Sequence, residues 1–127
     1  MANKGTHSYT GDSRNTQIKV YVNGEYYIRD NAKISVFDSG FLLGDGVWEG
    51  IRLYNDKLVF IDEHIDRLFE GAQKLSINIG LEKSDLIKLI YSVVEKNEMV
   101  SDVHIRLIVS RGMKSTPYQH PNVNIGS

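Results

Sequence analysis

Cysteine is absent from this 127-residue sequence. That single absence removes disulfides, thiolate nucleophiles and zinc–thiolate centres together, and it is consistent with a reducing compartment. An excess of one charge is also missing: 15 Lys and Arg stand against 16 Asp and Glu, a net charge of -1. No basic surplus points to nucleic acid, and no acidic run marks a solvating tail. No apolar run is long enough to span a bilayer. Residues 1–17 hold no apolar segment of the secretory kind. The expectation is a cytoplasmic protein with neither a membrane nor a nucleic acid as partner. No H-E-x-x-H or similar spacing is present, so no metal site is expected. No Ser–His–Asp arrangement is indicated either.

What is present is ordinary for one folded domain. The chain is 41% hydrophobic, and at this length about two thirds of the unfolded surface can be buried. Residues 1–17 are polar and read as a flexible arm or an extended tail packed on a partner. Residues 18–28 read as two strands around Asn23-Gly24, a dipeptide suited to a hairpin because both turn positions need positive φ. Residues 33–37 suggest a further extended stretch, followed by a glycine-dense loop over 38–46. Residues 47–54 and 57–61 flank Asn55-Asp56 as a second hairpin. Asp62 is placed to cap a helix from Glu63 to about Ser76, and Ser84 a second helix to about Asn97. Residues 102–111 read as a long strand, and 113–127, with Pro117 and Pro121, as a linker. This order predicts an α+β domain over 18–112: an antiparallel sheet with two helices packed on one side.

Alternation separates the strand faces. Val47, Glu49, Ile51 and Leu53 share one face, and Trp48, Gly50, Arg52 and Tyr54 the other. In the last strand Val103, Ile105, Leu107 and Val109 oppose His104, Arg106, Ile108 and Ser110. Two strands thus each present an arginine beside an aromatic or imidazole ring. Such a face is either a solvated outer surface or one wall of an anion-binding pocket. Glu49 falls on the apolar face, and a buried carboxylate needs partners, so it is expected to pair with a nearby donor. Arg67 falls on the polar side of the first helix with Glu63 and Lys74, as a solvated side chain. Gly71, one turn later, costs about 1 kcal/mol against Ala and leaves room for another domain or a ligand. His64 is expected to cap or pack. Gly40, Gly44 and Gly46 match neither a dinucleotide-binding nor a P-loop pattern.

Three ordered runs carry a resemblance. Phe37-Asp38-Ser39-Gly40-Phe41 leads into Gly44-Asp45-Gly46-Val47-Trp48-Glu49-Gly50-Ile51-Arg52. Glu63-His64-Ile65-Asp66-Arg67-Leu68 follows, and then His104-Ile105-Arg106-Leu107-Ile108-Val109-Ser110-Arg111-Gly112. In type and spacing they resemble the class IV aminotransferases, fold-type IV enzymes that use pyridoxal 5'-phosphate (PLP). The likeness covers roughly residues 18–126. It implies a homodimer whose subunits have this small domain and a larger one, with PLP between them on a lysine of the larger domain. It implies that Arg67 contacts the PLP phosphate, and that Trp48, Gly50, Arg52, His104 and Arg106 line the substrate side.

Gly50 and Arg52 look like the branched-chain type, but Leu43 and His104 stand where such enzymes usually carry tyrosines. Thr116 and Tyr118 stand where D-amino-acid aminotransferases place an Arg and a His. The implied reaction moves an amino group between an amino acid or amine and a 2-oxo acid. An aminodeoxychorismate lyase-type enzyme is the alternative on the same scaffold; a non-catalytic domain or assembly subunit is the alternative of another class. No residue here is assigned a catalytic role, Lys114 included, and the chain alone is expected to be inactive.

Overall fold

The computed structural model describes residues 11–116. Residues 1–10 of the expected arm and 117–127 of the expected linker, with Pro117, Tyr118 and Pro121, lie outside them. The chain divides into two compact units, Met1–Ala32 and Lys33–Ser127.

The first unit holds strands β1 (Lys19–Val22) and β2 (Glu25–Ile28), paired antiparallel between short 3-10 turns at Ser13–Gln17 and Arg29–Asn31. Asn23 and Gly24 both take positive φ, 48° and 95°, as their hairpin requires. The Ser13–Gln17 turn falls within the expected flexible arm, and its start is capped by Asp12.

The second unit opens with α1 (Ser39–Leu43), followed by β3 (Gly46–Tyr54) and β4 (Lys57–Leu58). Helices α2 (Ile61–Lys74) and α3 (Lys83–Lys96) come next, then strand β5 (Val103–Ser110). The sheet order is β4-β3-β5, antiparallel throughout. The helices pack on one face, giving the α+β architecture that the element order predicts. Ile51, Leu53 and Leu58 from the sheet close with Ile65 and Leu68 of α2 and Leu86, Ile90 and Val94 of α3 into one buried cluster. Each such side chain contributes about 1.5–3 kcal/mol on leaving water. Among the described residues no helix is long and apolar enough to cross a membrane.

Local departures from the sequence reading have local causes. The glycine-dense loop contains a helical turn, α1, because Asp38 accepts hydrogen bonds from the N–H groups of Gly40 and Phe41 at its start. Gly44, at φ 66°, ends it. Residues 33–37 are not a strand, and Val36 and Phe37 form a turn. The 57–61 strand stops at Leu58, because Phe60 adopts left-handed φ and turns the chain directly into α2. Helix α2 therefore starts before Asp62, which lies in its first turn instead of at the cap. Ser84 likewise lies inside α3, whose N-cap is Glu82. Both helices keep acidic residues in the first turn, where the helix dipole favours them.

Alternation is obeyed along both long strands. Glu49, Ile51 and Leu53 are buried while Trp48, Arg52 and Tyr54 are exposed. The even residues His104, Arg106 and Ile108 of β5 are exposed as well. An Ile51→Ala variant is expected to lose about 2–5 kcal/mol in urea unfolding, and Ile108→Ala less than about 0.5 kcal/mol.

Candidate active site

The β3–β5 register sets the outer face. Trp48 lies opposite Ile108, Gly50 opposite Arg106 and Arg52 opposite His104. Trp48, Gly50, Arg52, His104 and Arg106 thus share one surface, as alternation predicts. The side chains lean diagonally across the strands. The Arg106 guanidinium lies 4.2 Å from the Trp48 ring centroid, close enough for cation–π attraction. The Arg52 guanidinium sits 5.5 Å from the Tyr54 ring, and its Nη2 is 3.6 Å from an Asp102 carboxylate oxygen. Between these two stacks the His104 ring leans over Gly50. A Cβ at Gly50 would stand 2.8 Å from His104 Cε1, so glycine there is what admits the ring.

The inner face carries the strongest electrostatic feature. Glu49 is 4% exposed. Arg67 of α2 donates Nε–H to Glu49 Oε1 at 2.5 Å and Nη2–H to Oε2 at 2.6 Å, the bidentate pairing that a guanidinium fork favours. His64 Nδ1 lies 2.8 Å from the same Oε2. A carboxylate only accepts, so this nitrogen carries the proton. The Arg67 guanidinium, with His64 behind it, holds the Glu49 carboxyl down at about 2 against the opposing pull of burial.

Glu49 thus finds the donors its burial requires. His64 packs against that carboxylate and does not cap α2. Two expectations for α2 change. Arg67 remains 70% exposed, yet its fork is turned onto the sheet and is not simply solvated. The space that Gly71 leaves in its Cβ direction is taken by Val47 of β3, since a Cβ there would meet Val47 Cγ1 at 3.2 Å. The His64–Arg67–Gly71 side of α2 runs along the Val47–Glu49 end of β3.

Among the described residues no strand pairs with that end of β3 on its β4 side. Strand β4 reaches only Leu53 and Tyr54. Arg111 N donates to Asp45 O on the β5 side, and Val59 N to Arg52 O on the β4 side. Peptide groups alternate sides along an antiparallel strand, so those of Trp48 and Gly50 point toward the β4 side, beyond the end of β4. There a depression of about 570 Å³ is lined by Val47, Trp48, Glu49, Gly50, Arg67 and Leu68. Arg67 therefore shares a hollow with Trp48 and Gly50, whereas Arg52, His104 and Arg106 stay on the outer face beyond its lining.

One further clamp braces this end of the domain. Arg111 donates to both Asp45 carboxylate oxygens, at 2.6 and 3.2 Å, and to Leu75 O at 2.6 Å. It ties the approach to β3 to the end of α2. Met113 bridges to Asp38, Lys114 N donates to Phe37 O, and Lys114 is 2% exposed. Neither the Arg111 clamp nor the pairing of His64 with Glu49 follows from the sequence pattern alone. A carboxylate at an apolar alternation position was the available signal for the latter.

The family described as Amino-transferase class IV matches residues 46–125. The chain belongs to the class IV aminotransferase family. A Methanocaldococcus jannaschii protein, named provisionally as a branched-chain-amino-acid aminotransferase, is 44% identical over 96 residues, 76% of this chain and 33% of its own length. A D-alanine aminotransferase of Listeria monocytogenes is 37% identical over 103 residues, 81% of this chain and 35% of that protein. Among solved structures, a T.th. branched-chain amino acid aminotransferase complexed with N-(5'-phosphopyridoxyl)-L-glutamate superposes with a TM-score of 0.69 at 27% identity. That match covers 78% of this chain and 34% of the other. The chain spans about a third of the length of these class IV relatives.

The Glu49 ion pair ties folding to acid. Above the ordinary carboxylate value of 4.5 the group is ionised whether the chain is folded or unfolded, and the pair contributes fully. As pH falls from there through about 2, the unfolded chain binds the proton first and that contribution is lost. Unfolding by urea at pH 6 and pH 3 should show a loss of about 1–3 kcal/mol, with the exposure of Arg67 pulling it toward the low end. The loss should shrink in Glu49→Gln.

Proposed function

We propose that this chain is the small-domain part of a PLP-dependent aminotransferase that moves an amino group between an amino acid or amine and a 2-oxo acid. The observation that carries the reading is Arg67, a guanidinium anchored on a buried carboxylate beside a hollow, in a chain of this family. Of its five N–H donors, two are used on Glu49 and three are left for an anion. That donor chemistry suits a phosphate. With its charge opposed by Glu49, Arg67 is one arm of such a site, and the larger domain would supply the rest.

When bound, PLP supplies an electron sink for the carbon that carries the transferred amino group. This chain's own residues bind and shape. Arg67 holds the phosphate. Trp48 and Gly50 border the same hollow, and the glycine permits close approach to the strand. Arg52 and Arg106 carry the positive charge that attracts substrate carboxylates, and His104 lies between them on the same face. The lysine that carries the cofactor belongs to the larger domain; Lys114 is shielded from solvent and is not assigned that part. In this reading residues 1–17 are an arm, 18–112 the small domain and 113–127 the link to the larger one. The whole protein is a cytoplasmic homodimer.

The test uses the full-length protein. With PLP added it should show a visible absorbance band that borohydride removes, and it should transfer amino groups from a panel of L- and D-amino acids to 2-oxo acids. Multiple-turnover release of pyruvate from aminodeoxychorismate with no 2-oxo acid present would favour the lyase reading, and no band at all would sink the proposal. The 127-residue chain alone should give no turnover.

A further inference from the structure

The Glu49 carboxylate does more than neutralise a helix arginine. An arginine this exposed would ordinarily sample many rotamers, at a cost in side-chain entropy whenever it is fixed on a ligand. Here Nε and Nη2 are both engaged by one carboxylate, which defines the plane of the guanidinium. His64 Nδ1 at 2.8 Å holds the carboxylate in turn, and β3 holds Glu49 on its buried face. The two Nη1 donors and the second Nη2 donor are left with set directions, on the side away from Glu49. Arg67 borders the hollow with Trp48 and Gly50.

We propose that Glu49 and His64 are positioning residues for anion recognition: Glu49, braced by His64, orients Arg67 so that its remaining N–H groups receive a phosphate monoester. The proposal rests on the reading of Arg67 as the phosphate arm. A purely architectural ion pair makes a different prediction. Breaking it would weaken the fold but would leave the preference for a phosphorylated ligand over its unphosphorylated counterpart where it was.

Pyridoxamine 5'-phosphate and pyridoxamine separate the two, since neither has an aldehyde to react with a lysine. Their dissociation constants are measured by fluorescence titration on the full-length protein and on Glu49→Gln, Glu49→Asp and Arg67→Ala, with the ³¹P resonance of the bound phosphate as a second readout. Glu49→Gln should weaken pyridoxamine 5'-phosphate about tenfold, shift the ³¹P signal and leave pyridoxamine within about twofold. Glu49→Asp, which keeps the charge, should recover part of the loss. Arg67→Ala should abolish the preference for the phosphorylated form. If Arg67→Ala keeps that preference, the phosphate-arm reading falls and this proposal with it. If Arg67→Ala loses it while a folded Glu49→Gln keeps it, the positioning proposal alone is overturned. Should Glu49→Gln fail to fold, His64→Ala takes its place. It should lose about threefold on the phosphorylated ligand only, and an unchanged preference there overturns the proposal.

Discussion

A carboxylate buried on the apolar face of a strand cannot be left alone, and the arrangement of α2 on β3 follows from that. Alternation sends Glu49 inward with Val47 and Ile51. An unpaired charge at that depth would cost several kcal/mol (order of magnitude). The structure meets it with donors from one helix, His64 and Arg67. They lie three residues apart on neighbouring positions of a helical surface. Pairing them with Glu49 sets the rotation of α2 against the sheet. Ile65 and Leu68 then fall into the core, and Gly71 is brought against Val47. The apolar cluster supplies the packing of α2 on the sheet, and the ion pair fixes which side of the helix faces Glu49 and the hollow.

The opposite face of the same strand obeys a different constraint. Cross-strand neighbours on an antiparallel pair stand close enough for their side chains to meet directly or diagonally. Gly50 removes one side chain from that array, and the His104 ring occupies the space. Arg106 and Arg52 settle over Trp48 and Tyr54. Both cations therefore lie against the sheet surface on aromatic supports. Arg52 also has the Asp102 carboxylate beside it, so the two guanidiniums differ in how far their charge is compensated.

Much of the fold was legible because its signals are local. Asn23-Gly24 and Asn55-Asp56 announce hairpins through the φ values they tolerate. The apolar spacing of Ile65, Leu68 and Ala72 marks the buried stripe of α2. Strict alternation sorts β3 and β5 into two faces. Element ends were harder to read. Phe60 in left-handed φ is an unusual choice for a bulky residue, and nothing in its identity marks the turn from β4 into α2. The glycines around Ser39–Leu43 hid α1 because its capping depends on where Asp38 points, and Ser110 Oγ donates to that carboxylate at 2.8 Å from across the fold.

The candidate site divides along the same line. By itself the sequence determined which residues share a strand face, that Glu49 would need a partner, and, through three spaced runs, the kinship with class IV aminotransferases. Those properties follow from periodicity and residue chemistry along the chain. Only the tertiary structure decided which donors Glu49 takes, that Arg67 turns its fork inward, and that Gly71 serves packing. A helical wheel fixes angles about one axis and says nothing of what lies beside that axis. The neighbour here is β3, 18 residues earlier at the Glu49–Arg67 contact, and it is the register of β3 against β5 that brings the residues of the outer face together.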